Sequence, residues 1–403
     1  MTTDIETARR TLWEWCRARD FSGYDPFDAL NSRLFQALPL KHSRIARLAW
    51  TQTLKRSPLN LRPLALVPSE RNPKGTALFA LAALADFRRL PNATAEADAR
   101  SLLKDLGKAQ LASATGASCW GYNFDWQGRA FFAPRGTPTI VPTAFAARAF
   151  CEASVVFSDD NYLQTARSAC DFIRRDLNRT EETAGQVCFS YSPLDRTRIF
   201  NASLLAGETL AAVAALTQEI ELLDLAMRAA RFVMQHQRDD GSWAYGADDY
   251  QLWADNFHTA FVLGSLSRII RTCRTQQSES KSEFIEQAEV SLRRGYEFWC
   301  ERFFLANGWP KYYADRLYPV DAHAAGAAIA TLADLQWFDP GALDLAERIA
   351  DWIIANLRDR RGFFYYQRRR FHTVRTPYMR WSQAWMLYGL SHLTEVQTHA
   401  NLD

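Results

Sequence analysis

Paired cysteines are missing from this sequence: its seven cysteines form no CxxC pair, and their number is odd. Zinc sites and disulfide frameworks usually show paired or regularly spaced cysteines, so neither is expected and a reducing compartment fits best. A marked excess of one charge is also missing, because 48 Lys and Arg stand against 45 Asp and Glu, for a net charge of +3. Nucleic-acid binding usually requires a concentrated basic face, so no nucleic-acid partner is expected.

The N-terminus lacks the features of a secretory signal. Its first residues, MTTDIETARRTLWEWCRARD, include early acidic side chains and no apolar h-region. Along the whole chain, no apolar run approaches the roughly 18 residues expected of a membrane-spanning helix. The sequence therefore predicts a cytoplasmic protein without a membrane span.

Helical periodicity is present almost everywhere, and the predicted helices are of two kinds. In NYLQTARSACDFIRRDLN an apolar stripe runs along one face, through Tyr162, Ala166, Ala169, Ile173 and Leu177, which is typical of an amphipathic surface helix. The other kind is apolar nearly all round and rich in small residues, as at 143–157, 201–216, 322–335 and 381–393. Helices of this second kind must be buried on all sides.

The two kinds alternate, and an aromatic loop precedes each apolar helix. With Trp120, Phe189, Trp243, Trp309 and Phe363 as landmarks, the steps are 69, 54, 66 and 54 residues, which indicates a repeated helical pair. Two degenerate copies are expected before them, with the loops FSGYDPFDALNS and LNLRPLALVPSERNP. We therefore predict an all-α fold, an α/α toroid of six or seven inner and outer helix pairs, with residues 1–403 as one domain. An open solenoid is the alternative, but it exposes a face of every helix.

The loops before the inner helices of a toroid gather at one end, where the helix N-termini point into a common cavity. Alignment of the repeats places Thr143, Asn201, His258, His323 and Ser382 at similar positions near the start of each inner helix. Residues that are distant in sequence are thus expected to converge.

Five residues near these helix starts are candidates for acid/base chemistry. Asp255 and Asp321 form a possible carboxylate pair, and His258, His323 and Tyr378 supply groups of other pKa. The two aspartates equally fit helix N-caps. The histidines are too far apart in sequence to indicate a metal site on one helix, and no metal or cofactor is expected.

Aromatic and polar groups around them suggest a carbohydrate-binding cleft. Arginines bind carboxylates in a bidentate way, so Arg135, Arg198, Arg375 and Arg380 predict an anionic sugar or oligosaccharide. Further candidates for sugar binding are Asn201, Trp243, Tyr245, Asn256, Trp309, Tyr312 and Trp381. For each of the aromatic residues, ordinary core or loop packing is the competing interpretation.

Several other polar residues have open roles. Asp25 and Asp28 could form a second acidic pair, although Pro26 makes helix capping the favoured interpretation. Glu208 is apolar-flanked and therefore either paired or functional. The run Arg368–Arg370 is typical of a solvated surface.

Two resemblances follow from these motifs. The turn QRDDGSWAYG resembles the repeat turns of squalene and hopene cyclases, but the catalytic DxDD of those enzymes is absent, because Gly246 stands two positions before Asp248. The wider pattern of FSGYDPFDALNS, NGWPKYYAD and YMRWSQAWMLYGLSHL is similar to the VpsJ-like proteins of bacterial exopolysaccharide gene clusters, and more remotely to α/α-toroid carbohydrate-active enzymes. The resemblance implies a role in exopolysaccharide metabolism, with other polysaccharide biosynthesis proteins as possible partners.

Three chemistries and one non-catalytic role stay open at this point. A glycoside hydrolase would use Asp255 and Asp321. A lyase or an epimerase would use a base such as His or Tyr, with Arg or Asn beside the carboxylate of an acidic sugar. The alternative is a glycan-binding or scaffolding component of a biosynthetic complex.

Overall fold

A computed structural model describes residues 2–128, 131–276 and 279–400 of the chain. Its helices are α1 (Thr2–Arg17), α2 (Arg33–Ala37), α3 (Arg44–Arg56), α4 (Pro73–Arg89), α5 (Ala93–Lys108), α6 (Ile140–Phe157), α7 (Asp160–Arg175), α8 (Phe200–Thr217), α9 (Ile220–Gln235), α10 (Asn256–Thr275), α11 (Glu279–Phe303), α12 (Ala322–Asp334), α13 (Ala342–Leu357) and α14 (Trp385–Ala400). A π-helical turn at Met379–Ala384 leads into α14.

The even-numbered helices from α4 to α14 form a closed inner ring. Each contacts the next in chain order, and α14 contacts α4. The helices α5, α7, α9, α11 and α13 each pack outside the preceding inner helix, while α1 packs outside α14. The all-α toroid is confirmed, and the part of the chain that the structure describes contains six helix pairs. That residues 1–403 form one domain stays a prediction.

Burial follows the composition of the helices. In α8, 14 of 18 residues are buried, whereas α7 buries only five of 16, among them Ala166, Ala169 and Ile173 of its apolar stripe. Glycines allow the inner helices to approach closely: a Cβ on Gly389 of α14 would lie 2.6 Å from the carbonyl oxygen of Gly326 in α12. Side chains larger than hydrogen are therefore excluded at this crossing.

Two inner helices, Ile140–Phe157 and Phe200–Thr217, are long and apolar enough to cross a membrane by length and composition. The expectation that no segment reaches this length is therefore wrong. In the toroid, 67% and 78% of their residues are buried, because these helices are surrounded by protein. Their apolar character is explained by the core.

Short antiparallel strands shape the loops at the N-terminal ends of the inner helices. They are β1 (Leu111–Ala112), β2 (Ser118–Cys119), β3 (Trp126–Gln127), β4 (Phe132–Ala133), β5 (Arg179–Glu182), β6 (Val187–Phe189), β7 (Val320–Asp321), β8 (Gln367–Arg368) and β9 (Thr373–Val374). The first six strands form three separate pairs, β1-β2, β3-β4 and β5-β6, and the last three form the sheet β7-β8-β9. In register, Trp126 lies opposite Ala133 and Val320 opposite Arg368.

The N-terminal region departs from the predicted repeat. Only the second of its two predicted loops leads into an inner helix, α4. The first leads instead into an excursion, residues 28–67, which contains the short helices α2 and α3. Its side chains form a separate small core of Ala29, Leu54, Ala65 and Val67, so this segment packs on the toroid without adding a pair to it.

Candidate active site

A cavity of about 1020 Å³ opens at the end of the ring where the inner helices begin. Aromatic rings form a large part of its wall, and they include Tyr122, Trp126, Tyr191, Tyr245, Trp253, Phe257, Phe261, Tyr312 and Trp381. Apolar walls with a few polar groups are typical of ligand-binding cavities. Eight of the sequence-predicted site residues line it: Asn201, Tyr245, Asp255, His258, Tyr312, His323, Arg380 and Trp381.

Asp255 and His258 form a hydrogen-bonded pair at the start of α10. Asp255 is the N-cap: its Oδ1 accepts from the backbone N–H of His258 at 3.0 Å. Its Oδ2 accepts from the ring Nδ1 of the same histidine at 2.8 Å. Because the carboxylate keeps the proton on Nδ1, Nε2 is the basic nitrogen of the ring. Asp255 is therefore a helix N-cap that also binds the ring of His258, and its catalytic role stays a prediction.

His323 lies in the first turn of α12, two residues after the N-cap Asp321, whereas His258 lies three residues after its own N-cap. Among the described residues neither Nδ1 nor Nε2 of His323 has a hydrogen-bond partner, and the residue is only 1% exposed. The ring packs against Phe257 and Trp381, with centroid distances of 4.4 and 4.2 Å. Burial, together with the positive charges of Lys74 and Arg380, lowers the pKa of His323 well below its usual value. The imidazole is therefore neutral at pH 7, with one N–H donor and one free acceptor.

A second residue of the cavity lining carries a polar atom of this kind. The side-chain Oδ1 of Asn201 is buried and lacks a partner among the described residues. Buried polar groups are normally hydrogen-bonded, and an unpaired one costs about 1–3 kcal/mol. Asn201 and His323 thus present donors and acceptors that a polar ligand can satisfy.

Two lysines that the sequence interpretation missed also line the cavity. Lys74, in the first turn of α4, is 3% exposed, and its Nζ lies 4.8–5.2 Å from the rings of Phe145, Phe261 and Trp385. Burial, reinforced by the charge of Arg380, lowers the pKa of Lys74 well below its usual value. Burial also lowers the pKa of Lys55, to about 8, although the nearby carboxylates oppose the shift.

A sequence signal for Lys74 did exist. In NPKG it occupies the first turn of an inner helix, as the two histidines do in theirs. The first repeat was too degenerate to align with the others, so the matching position was not recognised.

Asp321 and Tyr378 lie outside the cavity lining. Asp321 is the N-cap of α12, and its carboxylate also accepts from Trp381 Nε1 at 3.1 Å and from Gln367 Nε2 at 3.0 Å. Burial raises the pKa of Asp321 to about 6 against the effect of the Trp381 hydrogen bond. The Tyr378 hydroxyl is fully buried and accepts from Arg62 Nη1 at 2.6 Å. Both residues position their neighbours, and neither is in a place to touch a ligand.

The predicted arginines are occupied by acidic or aromatic partners. Arg135 pairs with Glu70 at 2.9 Å and Arg198 with Asp248 at 2.9 Å, both away from the cavity. Arg375 is exposed beside the ring of Tyr365. Three of the four arginines that predicted an anionic sugar are thus outside the cavity lining.

Arg380 is the exception, since it lines the cavity. Its guanidinium donates two hydrogen bonds to the carboxylate of Asp25, at 2.6 and 2.7 Å. The carboxylate of Asp28 is bound in turn by Arg62 at 2.6 Å. Asp25 and Asp28 therefore bind buried arginines and do not line the cavity. Asp25 Oδ1 also accepts from the backbone N–H of Phe27 at 3.0 Å, a contact of the kind that the favoured capping interpretation predicts.

Trp243, Asn256 and Trp309 lie outside the cavity and stabilise the loops. Trp243 is buried and donates from Nε1 to the carbonyl oxygen of Val233. Trp309 donates to the carbonyl oxygen of Leu317. Asn256 accepts from Trp299 Nε1 at 3.0 Å. For the two tryptophans the competing interpretation of core or loop packing fits the structure.

Glu208, whose role the sequence left open, is paired. It binds Arg148, Arg268 and the hydroxyl of Ser265 halfway along α8. Glu208 is therefore neutralised by protein partners, and it is not among the residues that line the cavity.

No protein-family model and no curated protein matches the sequence, but solved structures do. A cellobiose 2-epimerase from Bacillus thermoamylovorans B4167 matches with a TM-score of 0.60 at 11% identity, over 81% of this chain and 88% of that chain. A D-mannose isomerase matches with a TM-score of 0.59 at 13% identity, over 82% and 88%. An unsaturated glucuronyl hydrolase specific for heparin matches with a TM-score of 0.56 at 14% identity, over 82% and 88%. At these identities the likeness shows a shared toroid fold.

Proposed function

We propose that this protein is a sugar isomerase or epimerase, which moves a proton at the carbon beside the carbonyl group of an open-chain sugar. The observation that carries the proposal is the pairing of an oriented base with a neutral, unpartnered imidazole in one cavity. His258 is fixed by Asp255 at 2.8 Å, and His323 has both ring nitrogens available. Both rings contact Phe257, with centroid distances of 3.9 and 4.4 Å.

The division of roles follows from the two environments. His258 Nε2 takes the proton from the carbon, and Asp255 stabilises the imidazolium that forms. His323, which is neutral, donates its N–H to the carbonyl oxygen and accepts the hydroxyl proton through its other nitrogen, as a neutral imidazole can. Return of the carbon-bound proton to the neighbouring carbon gives the isomer, and delivery to the opposite face gives the epimer.

The negative charge of the enediolate needs a stabilising environment. Lys55 and Lys74 line the cavity. Lys55, with a pKa of about 8, is mostly protonated at pH 7, and a cationic group in a site of low dielectric stabilises developing negative charge strongly. The lowered pKa of Lys74 favours its neutral amine, so the proposal of an acidic substrate rests on Lys55.

A hydrolytic role has less support. Glycoside hydrolases need two carboxyl groups that flank the scissile bond. The carboxylate of Asp255 is held by three donors, and Asp321 lies outside the cavity lining with its own oxygens bonded. The two predicted aspartates are thus committed to protein hydrogen bonds.

The solved structures of an epimerase and an isomerase with this fold agree with the proposal, although a hydrolase shares the fold as well. A cavity of about 1020 Å³ lies at the upper end of the range for ligand sites, which favours an oligosaccharide over one sugar residue. The resemblance to VpsJ-like proteins, the exopolysaccharide pathway and the cytoplasmic location stay predictions.

The test is proton exchange in heavy water. The protein is incubated in D₂O with glucose, mannose, glucuronate and β-1,4-linked disaccharides, and proton NMR follows loss of the C2 signal and growth of a ketose or epimer. We expect exchange with at least one of these sugars. His258→Asn and His323→Phe should reduce the exchange rate by about 10²–10⁴-fold, the usual contribution of a general acid or base.

The matched control is His399→Gln, since His399 is exposed near the end of α14 and should leave the rate unchanged. Sugar binding by calorimetry without any deuterium exchange would contradict the proposal and favour the glycan-binding role. Release of reducing sugar from the disaccharides would instead favour a hydrolase.

A further inference from the structure

One face beside the cavity is both basic and apolar. Residues 29–69 contain seven Lys and Arg and no Asp or Glu, in a chain that is otherwise balanced in charge. Three of these arginines, Arg33, Arg44 and Arg56, are exposed. The local excess of positive charge therefore reaches the surface.

Large apolar side chains are exposed on the same segment. Of the eighteen large apolar residues that are exposed in the described part of the chain, seven lie between positions 34 and 66. They are Leu34 (48%), Leu38 (46%), Leu40 (53%), Ile45 (78%), Leu59 (71%), Leu64 (75%) and Leu66 (50%). Single exposed apolar residues are ordinary, whereas a concentration of them marks an interaction surface.

These side chains do not belong to the buried core of the segment. Its own small core consists of Ala29, Leu54, Ala65 and Val67. In α3, the positions Leu48, Gln52 and Lys55 face the cavity, so the exposed positions of the helix lie on the outer side of the cavity rim. The exposed apolar side chains therefore lie on the same segment that supplies α3 to the cavity wall.

A second element extends this face. The hairpin between β8 and β9 carries Arg368, Arg369 and Arg370, followed by Phe371, which is 88% exposed. Arg369 lies close to Lys55 of α3. Burial is the main cause of the lowered pKa of Lys55, nearby carboxylates oppose it, and the charges of Arg56 and Arg369 add to the lowering. We call the exposed residues of 33–66 and of the hairpin tip 368–371 the rim surface.

We propose that the rim surface docks onto an anionic lipid bilayer, so that the cavity opens toward the membrane. Exposed leucines and a phenylalanine would enter the boundary between headgroups and acyl chains, while the arginines would bind the headgroup phosphates. Charge complementarity favours this partner, because all the Lys, Arg, Asp and Glu residues within 29–69 are basic and lie among the exposed apolar side chains of the segment. Binding of this kind needs no membrane-spanning helix.

The inference has a consequence for the substrate, which rests on the proposed function. A cavity that faces the bilayer is suited to a sugar attached to a membrane lipid, since the sugar can enter while the lipid stays in the membrane. The docking itself does not depend on the chemistry in the cavity. Failure of vesicle binding would leave the exchange assay with soluble sugars unaffected, so the two proposals can fail separately.

The experiment is co-sedimentation of the full-length protein with vesicles of phosphatidylcholine alone or mixed with phosphatidylglycerol, at low and high salt. We expect binding to the anionic vesicles, and weakening of it by salt. Leu40→Ser, Leu64→Ser and Phe371→Ser together should weaken binding by more than about tenfold. Arg33→Gln with Arg56→Gln should weaken it by about 25-fold, since each basic residue near an anionic surface contributes about fivefold.

Matched controls come from the rest of the surface. Ile220 (73% exposed) and Val290 (58%) lie on outer helices, and Ile220→Ser with Val290→Ser should leave vesicle binding unchanged. Arg271→Gln is the charge control, because Arg271 is exposed near the end of α10. Circular dichroism checks that every variant is folded.

Absence of binding to the anionic vesicles would overturn the proposal. Equal effects of the rim variants and the control variants would overturn it as well. Binding of the protein to poly-glutamate but not to vesicles would identify an acidic protein as the partner in place of lipid.

Discussion

A buried charge network closes the far end of the barrel, and His392 is its titratable centre. Protonated His392 donates from Nε2 to Asp334 at 2.9 Å and from Nδ1 to Glu395 at 3.2 Å. Arg268 also binds Asp334, and Arg88 also binds Glu395. Burial alone would lower the pKa of His392, but the two carboxylates outweigh it and raise the pKa to about 9.

This shift makes the stability of the fold depend on pH. An unfolded histidine has a pKa of about 6.5, so the folded state binds the proton more tightly. The stabilisation is fully present below about pH 6.5 and is lost as the pH rises through about 9. A shift to about 9 corresponds to about 3 kcal/mol. At about 2.1 cal/mol/K per residue over 403 residues, that is about 4 °C in Tm.

Thermal unfolding at about pH 6 and about pH 9 tests the prediction. His392→Gln should lower Tm by about 4 °C at the lower pH, and by much less at the higher pH, where the wild-type histidine is losing its proton. Subtraction of the variant from the wild type cancels the other groups that titrate in this range. His399→Gln, on the exposed end of the same helix, should show no such pH dependence. A loss of Tm that is equal at both pH values would refute the reasoning.

Three further predictions concern the cavity and the packing. Asp255→Asn keeps an oxygen for the helix cap but loses the acceptor for His258 Nδ1. The exchange rate should therefore fall by about 10³–10⁴-fold, while Tm changes by less than about 2 °C. An unchanged rate would contradict the orienting role of Asp255. Gly326→Ala should lower Tm, because the added Cβ would lie 2.6 Å from the backbone of the neighbouring inner helix. In the control Gly107→Ala the added Cβ meets no atom within 4 Å, so Tm should rise slightly. A similar change of Tm in the two variants would argue against close helix packing. A thiol reagent should modify at most the half-buried Cys300 in the native protein and all seven cysteines after denaturation, and rapid native labelling of several thiols would contradict their burial.

The sequence alone determined the architecture of the ring. Helices that are apolar all round can only be buried, and their alternation with striped helices requires two concentric layers. The predicted segments 201–216 and 143–157 correspond to α8 and α6, which run over Phe200–Thr217 and Ile140–Phe157. The sequence predicted six or seven pairs, because residues 28–67 have helical periodicity although they form an excursion beside the ring.

Part of the candidate site was also visible in the sequence. Asp255, His258 and His323 lie within the first turns of two inner helices, or at their caps, and helices of one ring present their N-termini to one cavity. The repeat thus brought the histidines together by position alone. Lys74 escaped only because the first repeat has diverged.

Only the tertiary structure decided which charged groups are available to a ligand. Arg380 is held by Asp25, 355 residues away along the chain, and Arg62 binds the hydroxyl of Tyr378 across 316 residues. Whether an arginine is available to a ligand depends on whether a carboxylate of the protein binds it. Such partners come from distant segments that the fold brings together. The periodicity of side chains records which faces are buried, because burial depends on local pattern. It does not record which buried charges meet, because those pairings depend on the path of the whole chain.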